Sequence, residues 1–360
     1  MKLKQLGWNS FFEAAWNEPE NSAGRRPARV IAQYRELWRV AGEFGETNVK
    51  ATGKLRLDAE NGADWPAVGD WVSVEGVAKT ELRIAEVLRR RTQIVRKEAG
   101  RRMESQVLAA NVDVVFLMMA MDGDFNLRRL ERYVAQGWES GARPVILLNK
   151  VDLCPVAASR IAEVEKSASG VRVCAISALT GDGIEILSPD LCTGETVVLL
   201  GSSGVGKSSL TNRLLGAETQ AVRAVRAEDS RGRHTTPARQ LFLLPSGAML
   251  IDTPGLRELR LWDAAEGLQQ AFGDIDGLAA HCRFGNCAHR GEPGCAVKEA
   301  IERGRLSAER LENHRKLIRE QDFLRRKIDP EAQQKTKRFI RSMNRAVRQL
   351  YQEREEKGKQ

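Results

Sequence analysis

A chain of 360 residues with 42% apolar content is long enough for two or three domains, each with its own core. No apolar run approaches the ~20 residues that span a bilayer, and the N-terminus lacks the uninterrupted apolar region and cleavage site of a secretory signal. The expectation is therefore a cytoplasmic protein without a membrane partner; six cysteines are too few for a disulfide scaffold, and of the net charge of +9, +8 falls in residues 301–360, where 18 lysines and arginines meet 10 acids.

Residues 1–28 hold "LGWNSFFEAAW", a short amphipathic helix candidate, and a polar Gly/Pro-containing stretch, read as an appendage with a linker. Residues 29–104 alternate short β-prone segments with turn signals: "RVIAQYRELWRVAG", "TNVKATGKLRL", "AVGDWVSVEG" and "ELRIAEVLRRRTQIVRK". Four or five short strands without a helix of any length predict a small barrel, OB-like by size, with an SH3-like barrel as the alternative. From 105 to 270 the pattern changes to continuous apolar runs, "VDVVFLMMAM", "RPVILLNK", "VRVCAIS", "ETVVLLGSS", "RQLFLLP" and "AMLIDTPG", separated by helical stretches. Runs buried on both faces belong to a mainly parallel sheet with helices on either side, a nucleotide-binding α/β architecture.

Within that region "LLNKVD" ends a strand. Asp152 there is placed to accept the two hydrogen bonds that guanine donates from N1 and N2, a pair adenine lacks, with Asn149 bracing the loop, Lys150 packing its stem along the base and Val151 between them. "AISALTGDG" puts Ser177 and Ala178 at another strand end, where backbone amides can read the guanine carbonyl. "GSSGVGKSSL" follows, with the G-x-x-x-x-G-K-[ST] spacing between a strand-like and a helix-like segment. Gly201, Ser202, Ser203, Gly204, Val205 and Gly206 then wrap phosphates with backbone amides at a helix N-terminus, Lys207 supplies a point charge, and Ser208, followed by Ser209, offers a hydroxyl to Mg²⁺. "SRGRHTTPAR" offers Thr235 and Thr236, of which Thr236 is the preferred third Mg²⁺ ligand; the plainer alternative is an ST-turn. "AMLIDTPG" places Asp252 as the metal-side carboxylate and Gly255 as an amide donor to the γ-phosphate.

Residues 271–330 contain "HCRFGNCAHRGEPGCAV", whose Cys282, Cys287, His289 and Cys295 make a three-thiolate, one-imidazole set. Such a set leaves no open position and predicts a structural Zn²⁺; His281 is adjacent but redundant, and Cys154, Cys174 and Cys192 read as packing residues. Residues 331–360 continue as a basic helix that fits a polyanion or, more plainly, a solvated tail.

The base-reading motifs precede the phosphate loop, the reverse of the usual GTPase order, so the domain reads as circularly permuted. A sheet tolerates this because its ligands bind where strand ends converge, whatever the point at which the chain begins. Over about residues 29–330 the chain resembles the circularly permuted, small-ribosomal-subunit-dependent GTPases of the RsgA/YjeQ type: barrel, "NKVD", "SALTG", the phosphate loop, "GRHTT", "DTPG" and the Cys/His stretch occur in that family's order. The resemblance implies GTP hydrolysis to GDP on the 30S subunit and a role in completing that subunit; the zinc-binding stretch with its basic helix, opposite the barrel, reads as a second RNA-gripping module beside it, with 16S rRNA as the expected partner. The resemblance also supports His234 as the group that helps water attack, since Leu256 stands where Ras-like proteins carry a glutamine; the alternative is an exposed loop histidine. Gly204 replaces the asparagine of potassium-dependent GTPases, and Pro237 the third threonine of the family's switch, leaving Thr235 and Thr236 to be separated. A monomer is expected. The rival readings are a GTP-dependent RNA tether with incidental hydrolysis and a small-molecule kinase, the latter disfavoured by "NKVD".

Overall fold

A computed structural model describes residues 2–17, 24–34, 36–98, 104–216, 239–252 and 265–328. His234, Thr235, Thr236, Gly255, Leu256 and the basic tail 331–360 lie outside the described residues.

Five strands close the N-terminal barrel: β1 (Arg26–Gln33), β2 (Trp38–Gly42), β3 (Gly45–Ala51), β4 (Trp71–Glu75) and β5 (Arg83–Val87), in the order β1-β2-β3-β5-β4 with β4 returning to β1. The two-residue period selects the interior: Ala28 and Val30, Trp38 and Val40, Val49 and Ala51, Val72 and Val74, and Ile84 form one buried cluster. On β1 the alternate residues Arg29 and Ile31 turn outward and are nonetheless buried. The segment "TGKLRL", read as part of a strand, is instead the helix α2 (Gly53–Asp58). Thr52 caps it by accepting a hydrogen bond from the Leu55 amide at 3.3 Å, which outweighs the strand-like alternation of Lys54 to Leu57.

The N-terminal segment is packed into the core. A 3₁₀ turn (Leu3–Leu6) and α1 (Ser10–Trp16), capped by Asn9, bury Leu6 and Phe12, and the Trp8 ring meets Trp71 edge-on at 4.7 Å. An antiparallel ribbon of β6 (Gln93–Glu98) and β7 (Glu104–Ala110) then carries the chain into the second sheet.

That sheet is built from β8 (Val114–Ala120), β9 (Arg143–Asn149), β10 (Arg172–Ile176), β11 (Thr196–Gly201), β12 (Arg239–Leu243) and β13 (Met249–Asp252) in the order β10-β9-β8-β11-β13-β12. All pairs are parallel except β12, which runs antiparallel to β13 and also pairs with β1, so the sheet is continuous with the barrel. Every residue of β8 and β11 is buried, as expected where helices cover both faces. The helices are α3 (Leu127–Glu139), α4 (Ala157–Ser167) and α5 (207–216). The chain goes outward from β8 through β9 to β10 and then returns to β11 on the other side of β8; this reversal opens a crevice at the C-terminal strand ends.

Beyond the sheet, α6 (Ala265–Ala271), α7 (Gly273–Ala279), α8 (Ala296–Glu302) and α9 (Ala308–Ile328) enclose Leu268, Phe272, Ile275, Val297, Leu306, Leu311 and Leu317. Among the described residues no helix is long and apolar enough to cross a membrane.

Candidate functional site: a nucleotide crevice and a Cys/His cluster

The phosphate loop occupies the crevice. Gly201 ends β11 opposite Met118 of β8, so close that a Cβ would lie 2.5 Å from the Met118 carbonyl. Gly204 and Gly206 take φ of 76° and 102°, where side chains are disfavoured, and turn the chain into α5. Lys207 opens α5 and its ammonium donates to the carbonyls of Gly201 (2.7 Å) and Ser202 (2.6 Å), while Ser203, Ser208 and Ser209 are exposed. Asp252 ends β13, the strand next to β11, and is half-buried.

Asn149 joins the loops that the sequence separates. Fully paired though 2% exposed, it donates from Nδ2 to the Val205 carbonyl (2.7 Å) and accepts at Oδ1 from the Ala178 amide (2.8 Å). A buried amide must satisfy both of its ends, and these two bonds do so. They also engage the Ala178 amide, and the Ser177 amide donates to the Asp182 carbonyl at 2.9 Å. The two amides assigned to the base from sequence therefore already have acceptors within the protein. Asp152 is exposed in the turn after β9, next to the partly exposed Val151.

An acidic loop after β8 was missed by the sequence reading. Asp122 accepts from the Lys150 ammonium at 2.7 Å, fixing the end of a side chain expected only to stack, and Asp124 accepts from the Ser202 hydroxyl at 2.6 Å and pairs with Arg129 at 2.8 Å. The Lys150 bond holds the Asp122 carboxyl below its usual range, and the Ser202 bond does the same for Asp124. The sign was there to read: "MDGDFN" closes the apolar run of β8 with two acids in a turn, at the same sheet edge as the phosphate loop.

The second cluster lies among the C-terminal helices. The ligand atoms of Cys282, Cys287, His289 and Cys295 all fall within 4.8 Å of one another, and this set could hold a metal ion. His289 Nδ1 is 3.6 Å from Cys282 Sγ and 3.5 Å from Cys295 Sγ, and those two sulfurs are 3.9 Å apart. Two residues that the sequence reading passed over shape the loop. The Glu292 carboxylate accepts from the amides of Ala288, Arg290 and Gly291; its own backbone amide, followed by these, holds its pKa at about 2, and Arg315 of α9 donates to the His289 carbonyl at 2.8 Å.

Comparison with known proteins agrees with this geometry. A family model described as RsgA GTPase matches residues 87–262, and one described as 50S ribosome-binding GTPase matches residues 196–350. The small ribosomal subunit biogenesis GTPase RsgA of Opitutus terrae is 45% identical over 341 residues, 92% of each chain, and that of Methanosarcina acetivorans is 45% identical over 326 residues, 90% of this chain and 86% of its own. Among solved structures, YjeQ from Thermotoga maritima superposes with a TM-score of 0.63 at 29% identity, covering 82% of this chain and 98% of its own. YloQ, a circularly permuted GTPase, shares the fold with a TM-score of 0.58 at 24% identity, covering 84% and 97%. With the phosphate loop and the base-side loops joined through Asn149 at one sheet edge, and relatives this similar over nine-tenths of the chain, the protein belongs to the RsgA family of circularly permuted GTPases.

Proposed function

We propose that this chain hydrolyses GTP when bound to the 30S subunit and assists late maturation of that subunit as a cytoplasmic monomer. The observation that carries the reading is the Asn149 bridge, which joins the loop at Val205 to the loop at Ala178. The site residues follow from it. Gly201 to Ser209 hold the phosphates, Lys207 leaves its two carbonyls for the β- and γ-phosphates, and Asp152 selects guanine. Ser208, Thr236 and Asp252 are the groups for Mg²⁺, which when bound neutralises charge on the phosphates. Thr235 and Gly255 line the γ-phosphate side, and His234 orients the attacking water.

The Cys/His cluster is assigned to a structural Zn²⁺. Tetrahedral bonds of about 2.3 Å to sulfur and 2.0 Å to nitrogen put sulfurs about 3.8 Å apart and about 3.5 Å from the nitrogen. The distances found are 3.9, 3.6 and 3.5 Å, so Cys282, His289 and Cys295 match the ion as they stand, with the Cys287 sulfur within 4.8 Å of all three. In this reading residues 29–104 and 271–330 flank the GTPase domain (105–270) as modules for 16S rRNA, with 1–28 and 331–360 as extensions.

The test is GTP turnover with and without 30S subunits, for the wild type and His234→Ala. Stimulation by 30S that collapses in the variant is the expected result. Leu256 in place of a glutamine favours one alternative, a GTP-dependent RNA tether, which turns over GTP equally slowly with and without subunits.

A further inference from the structure

One helix carries both ends of the nucleotide site. Lys207 stands at the start of α5, and Arg213, six residues on, reaches across to the loop that follows β10. Its Nε donates to the Ala178 carbonyl at 3.0 Å, and its Nη2 donates to the Leu179 carbonyl. One end of the guanidinium lies against Gly181, where φ is +101° and a Cβ would approach Nη1 to 2.7 Å. Ala178 is thus held from both sides, its amide by Asn149 and its carbonyl by Arg213.

We propose that Arg213 is a positioning residue for guanine recognition: by holding two successive carbonyls toward α5, it fixes the peptide planes of the loop beside the base. In a trans peptide the amide points away from its carbonyl, so orienting the 178–179 and 179–180 carbonyls orients the amides on the opposite side. A planar fork suits this task, because two donors on one rigid group hold two acceptors that a lysine ammonium would have to choose between. Arg213 acts in this assignment through the Ala178 and Leu179 carbonyls. Apart from the Asn149 bond to the Ala178 amide, the loop is held by internal bonds, among them those from the Gly181 amide to the Ser177 carbonyl (2.8 Å) and from the Thr180 amide to Ser177 Oγ (3.1 Å). Without Arg213 the loop still closes and keeps its tie through Asn149, but loses its direct hydrogen bonds to α5.

The inference rests on the reading that residues 149–152 and 177–179 face guanine, and the experiment separates the two. GDP, IDP, XDP and ADP are titrated into full-length wild type, Arg213→Ala, Arg213→Lys, Gly181→Ala and Asp152→Asn, with melting curves alongside. Arg213→Ala is expected to weaken GDP and IDP together by about tenfold, because both carry the 6-carbonyl, while ADP changes little, so the GDP/ADP preference narrows. GTP turnover should show the same rise in KM with kcat retained. Arg213→Lys should recover part of the affinity, and Gly181→Ala, which crowds the guanidinium without removing charge, should move GDP in the same direction. The proposal is overturned if Arg213→Ala binds GDP as the wild type does, or loses GDP and ADP in equal proportion. Asp152→Asn should shift preference from GDP to XDP; if it does and Arg213→Ala is silent, only the Arg213 role fails, whereas an unaltered GDP preference in Asp152→Asn rejects the base-side reading itself.

Discussion

Two buried arginines stand at the two seams of the GTPase domain, and their surroundings push them in opposite directions. Arg29, at the barrel seam, hydrogen-bonds to no carboxylate among the described residues. It donates to the carbonyls of Leu6, Gly69 (3.2 Å) and Asn111 (3.2 Å) and to the Thr196 hydroxyl (2.8 Å), with the Met249 sulfur beside it, so one side chain ties the N-terminal segment, the barrel, β11 and β13. Burial lowers its pKa to about 10, still well above neutrality, so it stays charged among dipoles. Arg310 of α9, at the other seam, donates to both oxygens of Asp274 and to Glu131 of α3, and Asn313 adds a bond to the same Glu131. Burial pulls its pKa down, but Asp274 and Glu131 more than offset that and hold it above the ordinary value. The barrel seam therefore holds its arginine with neutral acceptors, whereas the C-terminal seam pairs its arginine with carboxylates.

The contrast can be broken most sharply at Arg310. Arg310→Ala leaves Glu131, 5% exposed, as a buried carboxylate without its cation, and should cost about 3–5 kcal/mol in denaturant unfolding. Pairing Arg310→Met with Glu131→Leu should recover most of that loss, since both charges leave together. Arg29→Met is the counterpart: it orphans neutral acceptors and strands no charge, and should cost about 1–3 kcal/mol by the same measurement. If the two single variants cost the same, the distinction between the seams fails. The smallest effect concerns pH. The His314 ring packs at a tilt of 30° against Phe272, at 4.8 Å, and Arg310 lies over the same Phe272 ring; burial, opposed by Asp276 and reinforced by Arg310, lowers the His314 pKa. A histidine lowered on folding gives stability that is full above its unfolded value, about 6.5, and declines as pH falls through it, because the unfolded chain takes up the proton first. Unfolding free energy measured at pH 7.5 and 5.5 should fall in the wild type and less so in His314→Gln.

The seams are also where the sequence was hardest to read. Continuous apolar runs announced β8, β9 and β11, because a strand buried on both faces has no polar alternation to blur it. The phosphate loop and the four cluster ligands were legible because their chemistry depends on local spacing. Arg29 was not, since an arginine inside "RVIAQ" reads as a solvent-facing strand position until its partners arrive from Leu6, Gly69, Asn111 and Thr196. Glu131 and Arg310 read as ordinary charges on helix faces, as does Arg213, whose carbonyl partners lie 34 and 35 residues away. Phe12 and Leu6 looked like part of an appendage because nothing near them in the chain announces Trp71. What escaped sequence reading is pairing, polar and apolar, between residues far apart in the chain.

The account stands on the claim that strand ends far apart along the chain meet in one pocket for a guanine nucleotide. A crystal structure of the chain with a non-hydrolysable GTP analogue tests it most directly. The prediction is Asp152 accepting from N1 and N2 of the base while the Lys207 ammonium has moved from the Gly201 and Ser202 carbonyls to the β- and γ-phosphates. Lys207 on the triphosphate with Asp152 turned away from the base would contradict it.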